Sequence, residues 1–197
     1  MVLRGRKDLN VRMHIQDFAE NSSDVAHFNV LHEAFHMPVM RHFCKVQHRV
    51  EWFRGEHPHV AHFTDEARLV LLGKALEGSK ATAFVSFIGP GGLVHFRFTT
   101  PAGEIMLFKC FTPQGPFKQL VHDRWFADKR MPRMLVHYVV QNFAYAFADD
   151  VFVWENKTWV ERPLLVSGDG PMAQQRRWYS QFYSDSSREA AEATMDR

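Results

Sequence analysis

Cysteine is scarce in this sequence. There are two, Cys44 and Cys110, far apart and in no C-x-x-C or C-x-H context. Their spacing argues for a reducing compartment, with both thiols in the core, and against a thiolate-bound zinc or iron–sulfur centre in this chain. Excess charge of one sign is missing too. Lys and Arg number 24 against 22 Asp and Glu, a formal net charge of +2, and the charges are interspersed. No basic stripe exists to engage nucleic acid. Long apolar runs are also absent. The longest, "MLVHYVVQNFAYAFA", is interrupted by His137, Gln141 and Asn142, so no transmembrane segment and no signal peptide are expected. The chain has no internal repeats.

Histidine and phenylalanine, by contrast, are plentiful, with 12 and 18 residues among 197. A chain of this length forms one compact domain with a single sizeable core. So many histidines make a metal site plausible and also make chance pairs at ligand spacing common, so any pair needs independent support.

Residues 1–13 read as basic and irregular. Asn21, Ser22 or Ser23 can cap a helix that must end near Pro38. From Cys44 to about Trp125, short alternating runs punctuated by Gly and Pro predict an antiparallel meander of six or seven strands, with "GPGG" and "PAGE" as its clearest hairpin turns. A long helix follows from about Pro132 to Lys157. The segment "RRWYSQFYS" sets Arg176 and Arg177 beside four aromatic residues. Without a wider basic surface it reads as a closing segment packed on the core with its arginines paired to acids. Residues 1–185 form the domain, and 186–197, with no apolar face to bury, are a disordered tail or frayed helix. A helix, a meander and a long helix lying across it make an α+β domain with its helices on one face of the sheet.

The stretch "ENSSDVAHFNVLHEAFHMP" places Asp24, His27, His32 and His36 among apolar residues. His27 and His32 would stand about 140° apart on a regular helix. They can share an ion only if a π-turn or a break intervenes. His32 and His36, at i and i+4, could chelate without distortion, although His36 lies where the helix is ending. Spacing alone leaves both pairs open, along with the reading that these histidines are merely satisfied or exposed.

The long helix supplies independent support. Val136, Val139, Phe143, Ala146, Phe147 and Trp154 fall within about 60° of Asp150 on the helical wheel, whereas Asp149 lies nearer Asn142. A bare carboxylate on that apolar stripe would cost several kcal/mol. A metal ion, a buried arginine or a helix-end hydrogen bond would satisfy it. Two histidines and an aspartate form the 2-His-1-carboxylate set that leaves open positions on non-heme Fe(II) for dioxygen.

The strings "ENSSDVAHFNVLH", "DDVFVWENK" and "PLLVSGDGPMAQQRRWYSQFYS", in this order, resemble the catalytic domain of Rieske non-heme iron oxygenases. The resemblance covers most of residues 14–185 and is strongest to the cholesterol 7-desaturase (Neverland) family, then to the 3-ketosteroid 9α-hydroxylases. It implies a helix-grip, START-like antiparallel sheet curved around a long C-terminal helix. It also implies that His27, His32 and Asp150 bind mononuclear Fe(II), and that Asp24 is the electron-transfer bridge to a Rieske cluster in the neighbouring subunit. The activity implied is oxygen-dependent C7–C8 desaturation of cholesterol to 7-dehydrocholesterol, with steroid hydroxylation or non-catalytic sterol binding as alternatives. NAD(P)H would supply electrons through a reductase, and the full-length protein is expected to be a membrane-associated homotrimer. One departure stands out. The C-x-H and C-x2-H pair that holds a [2Fe–2S] cluster is absent here, so the Rieske domain is expected elsewhere.

Overall fold

The computed structural model describes residues 1–36, 42–158, 164–166 and 168–186. Strand β1 (Val2–Val11) is followed by two short helices, α1 (Ile15–Asn21) and α2 (Val25–Leu31). Six further strands come next: β2 (Cys44–Arg54), β3 (Val60–Leu71), β4 (Lys74–Ile88), β5 (Leu93–Thr100), β6 (Gly103–Gly115) and β7 (Lys118–Ala127). The long helix α3 (Arg133–Asn156), a short helix α4 (Met172–Tyr179) and a 3-10 turn (Ser180–Phe182) follow among the described residues. The result is a mixed α/β domain built on one seven-stranded antiparallel sheet in the order β1-β7-β6-β5-β4-β3-β2. The meander falls where the alternation places it, and "GPGG" and "PAGE" turn β4 into β5 and β5 into β6.

Two expectations need correction. Residues 2–11 are not irregular but form an edge strand paired with β7. Its alternating charges hide the strand signal, and such charges are what keep an exposed edge from pairing with other chains. Nor does a single helix start at Asn21–Ser23. The chain breaks after α1, and Asp24 caps α2 by accepting the His27 backbone N–H. The expected helix end at Pro38 and residues 187–197 of the expected tail lie outside the described residues.

Alternation along the strands sorts one set of side chains inward. Val85, Phe87, Val94, Phe96, Leu107, Phe111 and Val121 are buried in one cluster with Phe18 of α1 and with Phe147 and Trp154 of α3. Each large aromatic ring so buried contributes on the order of 2–3 kcal/mol. The inward face also carries one cation. Lys109 of β6 is fully buried, 2.8 Å from the Asp123 carboxylate and 3.7 Å from the centroid of the Phe147 ring. Burial pushes its ammonium below the ordinary lysine value against the pull of Asp123. The closing segment packs on the core as expected, but of its two arginines only Arg176 pairs with an acid among the described residues, and Arg177 is exposed. Arg176 forms a two-point ion pair with Glu20, Trp178 donates to the Pro58 carbonyl, and Tyr179 donates to that of Pro90. Cys44 is buried and Cys110 half-buried, both as free thiols. Among the described residues, no helix is long and apolar enough to cross a membrane.

Candidate metal centre

The candidate centre lies where α2 meets α3. His27 is the third residue of the seven-residue helix α2, and His32 stands just past its end as the C-cap, with φ −104° and ψ 10°. The π-turn or break expected between the two residues is not there: α2 is continuous to Leu31 and the His32 N–H still bonds the Phe28 carbonyl, so the backbone leaves helical geometry only at His32 itself. The imidazoles consequently meet, their ring centroids 5.0 Å apart. Asp150 enters from α3, where it is buried with Val136, Phe147 and Trp154.

The Asp150 Oδ1 atom lies 3.2 Å from His32 Nε2 and 3.9 Å from His27 Nε2. One ligand atom from each of the three residues lies within 4.8 Å of the others. The three side chains are only 13%, 8% and 10% exposed for His27, His32 and Asp150, so water cannot compensate the carboxylate freely. Asn21 helps. Its Nδ2 donates to Asp150 Oδ1 at 3.0 Å while its Oδ1 accepts from Trp154 Nε1 at 3.2 Å. The amide thereby ties two residues one turn apart on α3 to the end of α1.

The electrostatics favour a cation between these groups. His27 Nδ1 donates to the Asp24 carbonyl, which leaves the Nε2 lone pair facing the Asp150 carboxylate. Burial pushes the His27 imidazole below its ordinary value, and the Asp150 charge opposes that shift. An imidazole lone pair and a carboxylate oxygen aimed at each other repel unless a proton or a metal ion lies between them. The donor set fits a divalent metal with N and O ligands.

The rival arrangement does not form. His36 Nε2 pairs instead with Asp149 at 4.0 Å on a more open surface, its ring packs against Tyr145, and its backbone N–H donates to Asn142. Among the described residues, no arginine takes the place of the histidines beside Asp150. Asp24 caps α2 with its carboxylate and holds the His27 ring with its carbonyl. Gly170 locks the same corner from the other side. It adopts φ +84°, and a Cβ there would collide with the Ser23 carbonyl and the Val25 side chain, while the Asp169 carbonyl accepts the Val25 N–H.

Sequence reasoning missed Asn21 as a partner of Asp150, and it missed His48 and Asp65. His48 Nδ1 lies 2.8 Å from Asp65 Oδ2, and its Nε2 lies 3.2 Å from the His32 carbonyl. Burial lowers the His48 pKa, but the Asp65 carboxylate outweighs it and the net shift is upward. The one signal available was the inward position of a histidine and an aspartate on neighbouring strands.

Two imidazoles and a carboxylate converging beside a seven-stranded antiparallel sheet offer the donor set of a 2-His-1-carboxylate site. The profile of the 3-ketosteroid 9α-hydroxylase C-terminal domain matches residues 4–183, and the chain belongs to that family. It is 32% identical over 202 residues to the cholesterol 7-desaturase of Caenorhabditis elegans, covering 94% of this chain and 46% of that protein. It is 29% identical to the oxygenase component of the 3-ketosteroid-9-alpha-monooxygenase of Mycolicibacterium smegmatis, covering 86% of this chain and 44% of that protein. The chain thus spans less than half the length of these curated relatives. Among solved structures, dicamba monooxygenase bound to dicamba matches 98% of this chain and 59% of its own, with a TM-score of 0.60 at 12% identity. A quaternary ammonium Rieske monooxygenase matches 92% and 50%, with a TM-score of 0.57 at 14% identity. At such identities these two establish the fold alone.

Proposed function

We propose that this chain is the mononuclear-iron part of a sterol Rieske oxygenase, and that its reaction is C7–C8 desaturation of cholesterol to 7-dehydrocholesterol. The observation that carries the reading is the convergence of His27, His32 and Asp150 in a chain whose relatives include cholesterol 7-desaturases. Fe(II) held by these three residues would keep coordination positions open for dioxygen. The chain's own residues prepare that site. Burial favours the neutral, metal-binding form of the His27 imidazole, Asn21 steadies the Asp150 carboxylate, and Asp24 aims the His27 ring. Phe96, Phe98 and Phe143, stacked or edge-on to one another between sheet and α3, supply an apolar flank suited to a sterol ring system and hostile to water. We read the sheet and α3 as a helix-grip, START-like arrangement.

The remaining parts belong to the longer protein. We assign Asp24 to the electron path because it stands three residues before His27 and touches that residue twice. The related quaternary ammonium enzyme is described with inter-subunit electron transfer. By analogy the donor here would be a [2Fe–2S] cluster in a neighbouring subunit of a homotrimer, fed from NAD(P)H by a reductase, with membrane association a property of the full-length protein.

A second reading, steroid hydroxylation, is favoured by the matched 9α-hydroxylase profile. Product analysis separates the two. The chain is fused to the Rieske half of a relative and given cholesterol, reductase and NAD(P)H. Desaturation yields a product two hydrogens lighter, and hydroxylation yields one heavier by an oxygen. A chain that retains sterol but no iron, and yields neither product, would be a carrier and would overturn both readings.

A further inference from the structure

The two candidate imidazole ligands are held in different ways. His27 donates through Nδ1 to the Asp24 carbonyl, which directs its Nε2 toward Asp150. His32 has no such support, because its Nδ1 is buried without a hydrogen-bond partner among the described residues. Metal-binding imidazoles almost always use their second nitrogen this way. The direction of the His32 ring must therefore come from its backbone.

The edge of the sheet supplies it. The His32 carbonyl accepts from His48 Nε2 at 3.2 Å, and His48 Nδ1 is held by Asp65 at 2.8 Å. His48 stands opposite Ala67 and Asp65 stands opposite Val50, so the pair is a diagonal contact on the inward face of β2 and β3. Asn29 meets the same residue, accepting the His48 N–H at 3.0 Å and donating to the His48 carbonyl at 3.2 Å. One step further, the Val46 N–H donates to the Glu33 carbonyl at 2.8 Å. An edge strand carries a row of polar groups with no neighbouring strand to pair them. Here β2 spends those groups on the segment that bears His32.

We propose that the His48–Asp65 pair is a positioning device for His32, fixing the chain at the end of α2 so that His32 Nε2 meets Asp150, and that it thereby sets the affinity of the metal site. The inference rests on the metal-site reading above. His48 and Asp65 offer no atom to the cluster of three ligands, so they act through His32. A pair that served only general stability would alter melting and leave the geometry of a bound ion unchanged.

The test is anaerobic titration of the 197-residue chain with Co(II), read by its d–d absorption. His48→Phe preserves the ring contact with Phe28 and removes both hydrogen bonds. Asp65→Asn removes only the carboxylate. His62→Phe breaks a comparable pair, His62 with Ser86, away from the centre and serves as control. Both site variants should bind Co(II) 10- to 100-fold more weakly, with a shifted d–d spectrum, and the control should match the parent chain. If His48→Phe fails to fold, Asp65→Asn carries the comparison. Parent-like affinity and spectrum in a folded site variant overturn this proposal alone. A parent chain that takes up no Co(II) overturns the metal-site reading, and this proposal with it.

Discussion

The segment from Asp24 to His36 sets histidine against aspartate of α3 at two places among the described residues, and the two differ in kind. At the inner one, His27, His32 and Asp150 bring three ligand atoms together in a nearly closed setting. At the outer one, His36 and Asp149 stand 4.0 Å apart with side chains 31% and 41% exposed. The residue types are the same, and the aspartates are adjacent. One residue along a helix turns a side chain by about 100°, enough to carry a carboxylate from solvent to the apolar stripe. There it must be compensated. A metal site at this corner would therefore owe its affinity to burial and convergence, since histidine and aspartate alone produce only a weak surface pair.

Substitutions on the two sides should separate these places completely. Asp150→Ala, His27→Ala and His32→Ala should each abolish stoichiometric Fe(II) uptake, whereas Asp149→Ala and His36→Ala should leave it nearly intact, as read by metal analysis after desalting. Loss of iron in His36→Ala with retention in His27→Ala would reverse the assignment. Asp24→Asn comes next. In a fusion with a relative's Rieske half it should still bind iron and sterol and still reduce the cluster, yet give almost no product. Normal turnover would leave Asp24 with only its observed role as the cap of α2.

Gly170→Ala sharpens the comparison from outside the ligand set. Its positive φ and its contact with Ser23 and Val25 should cost roughly 1–3 kcal/mol, lowering the melting temperature by several degrees and weakening metal binding through α2. A change on the outer, His36–Asp149 side should do neither. The smallest effect is expected at the cap of α1, where His14 accepts the Gln16 N–H through its ring nitrogen. Burial lowers the His14 pKa from its ordinary value of 6.5. The folded protein thus binds this proton less readily than the unfolded chain, so the stability it contributes is present above pH 6.5. That stability is lost as the pH falls through the lowered value. His14→Asn, a cap that does not titrate, should flatten the acid side of the melting profile by a degree or two. An unchanged profile would remove His14 from the account.

What could be read in advance followed from local pattern. The apolar stripe of α3 marked Asp150 as an inward carboxylate, and the structure buries it as expected. The period-2 runs and Gly-Pro turns laid out β2 to β7, whereas the break expected between His27 and His32 is replaced by a departure from helical geometry at His32 itself. What escaped was carried by contacts distant in sequence. Asn21 reads as a cap until α3 is folded against it, and β1 reads as irregular until β7 pairs with it. His48 and Asp65, two of many polar residues on alternating strands, acquire meaning only when β2 closes against the end of α2.

The most direct measurement is a crystal structure of the chain soaked anaerobically with Fe(II), with data collected on both sides of the iron absorption edge. The account predicts one anomalous peak per chain, within bonding distance of His27 Nε2, His32 Nε2 and an Asp150 oxygen. A peak between His36 and Asp149, or a fully ordered inner cluster with no peak, would contradict it.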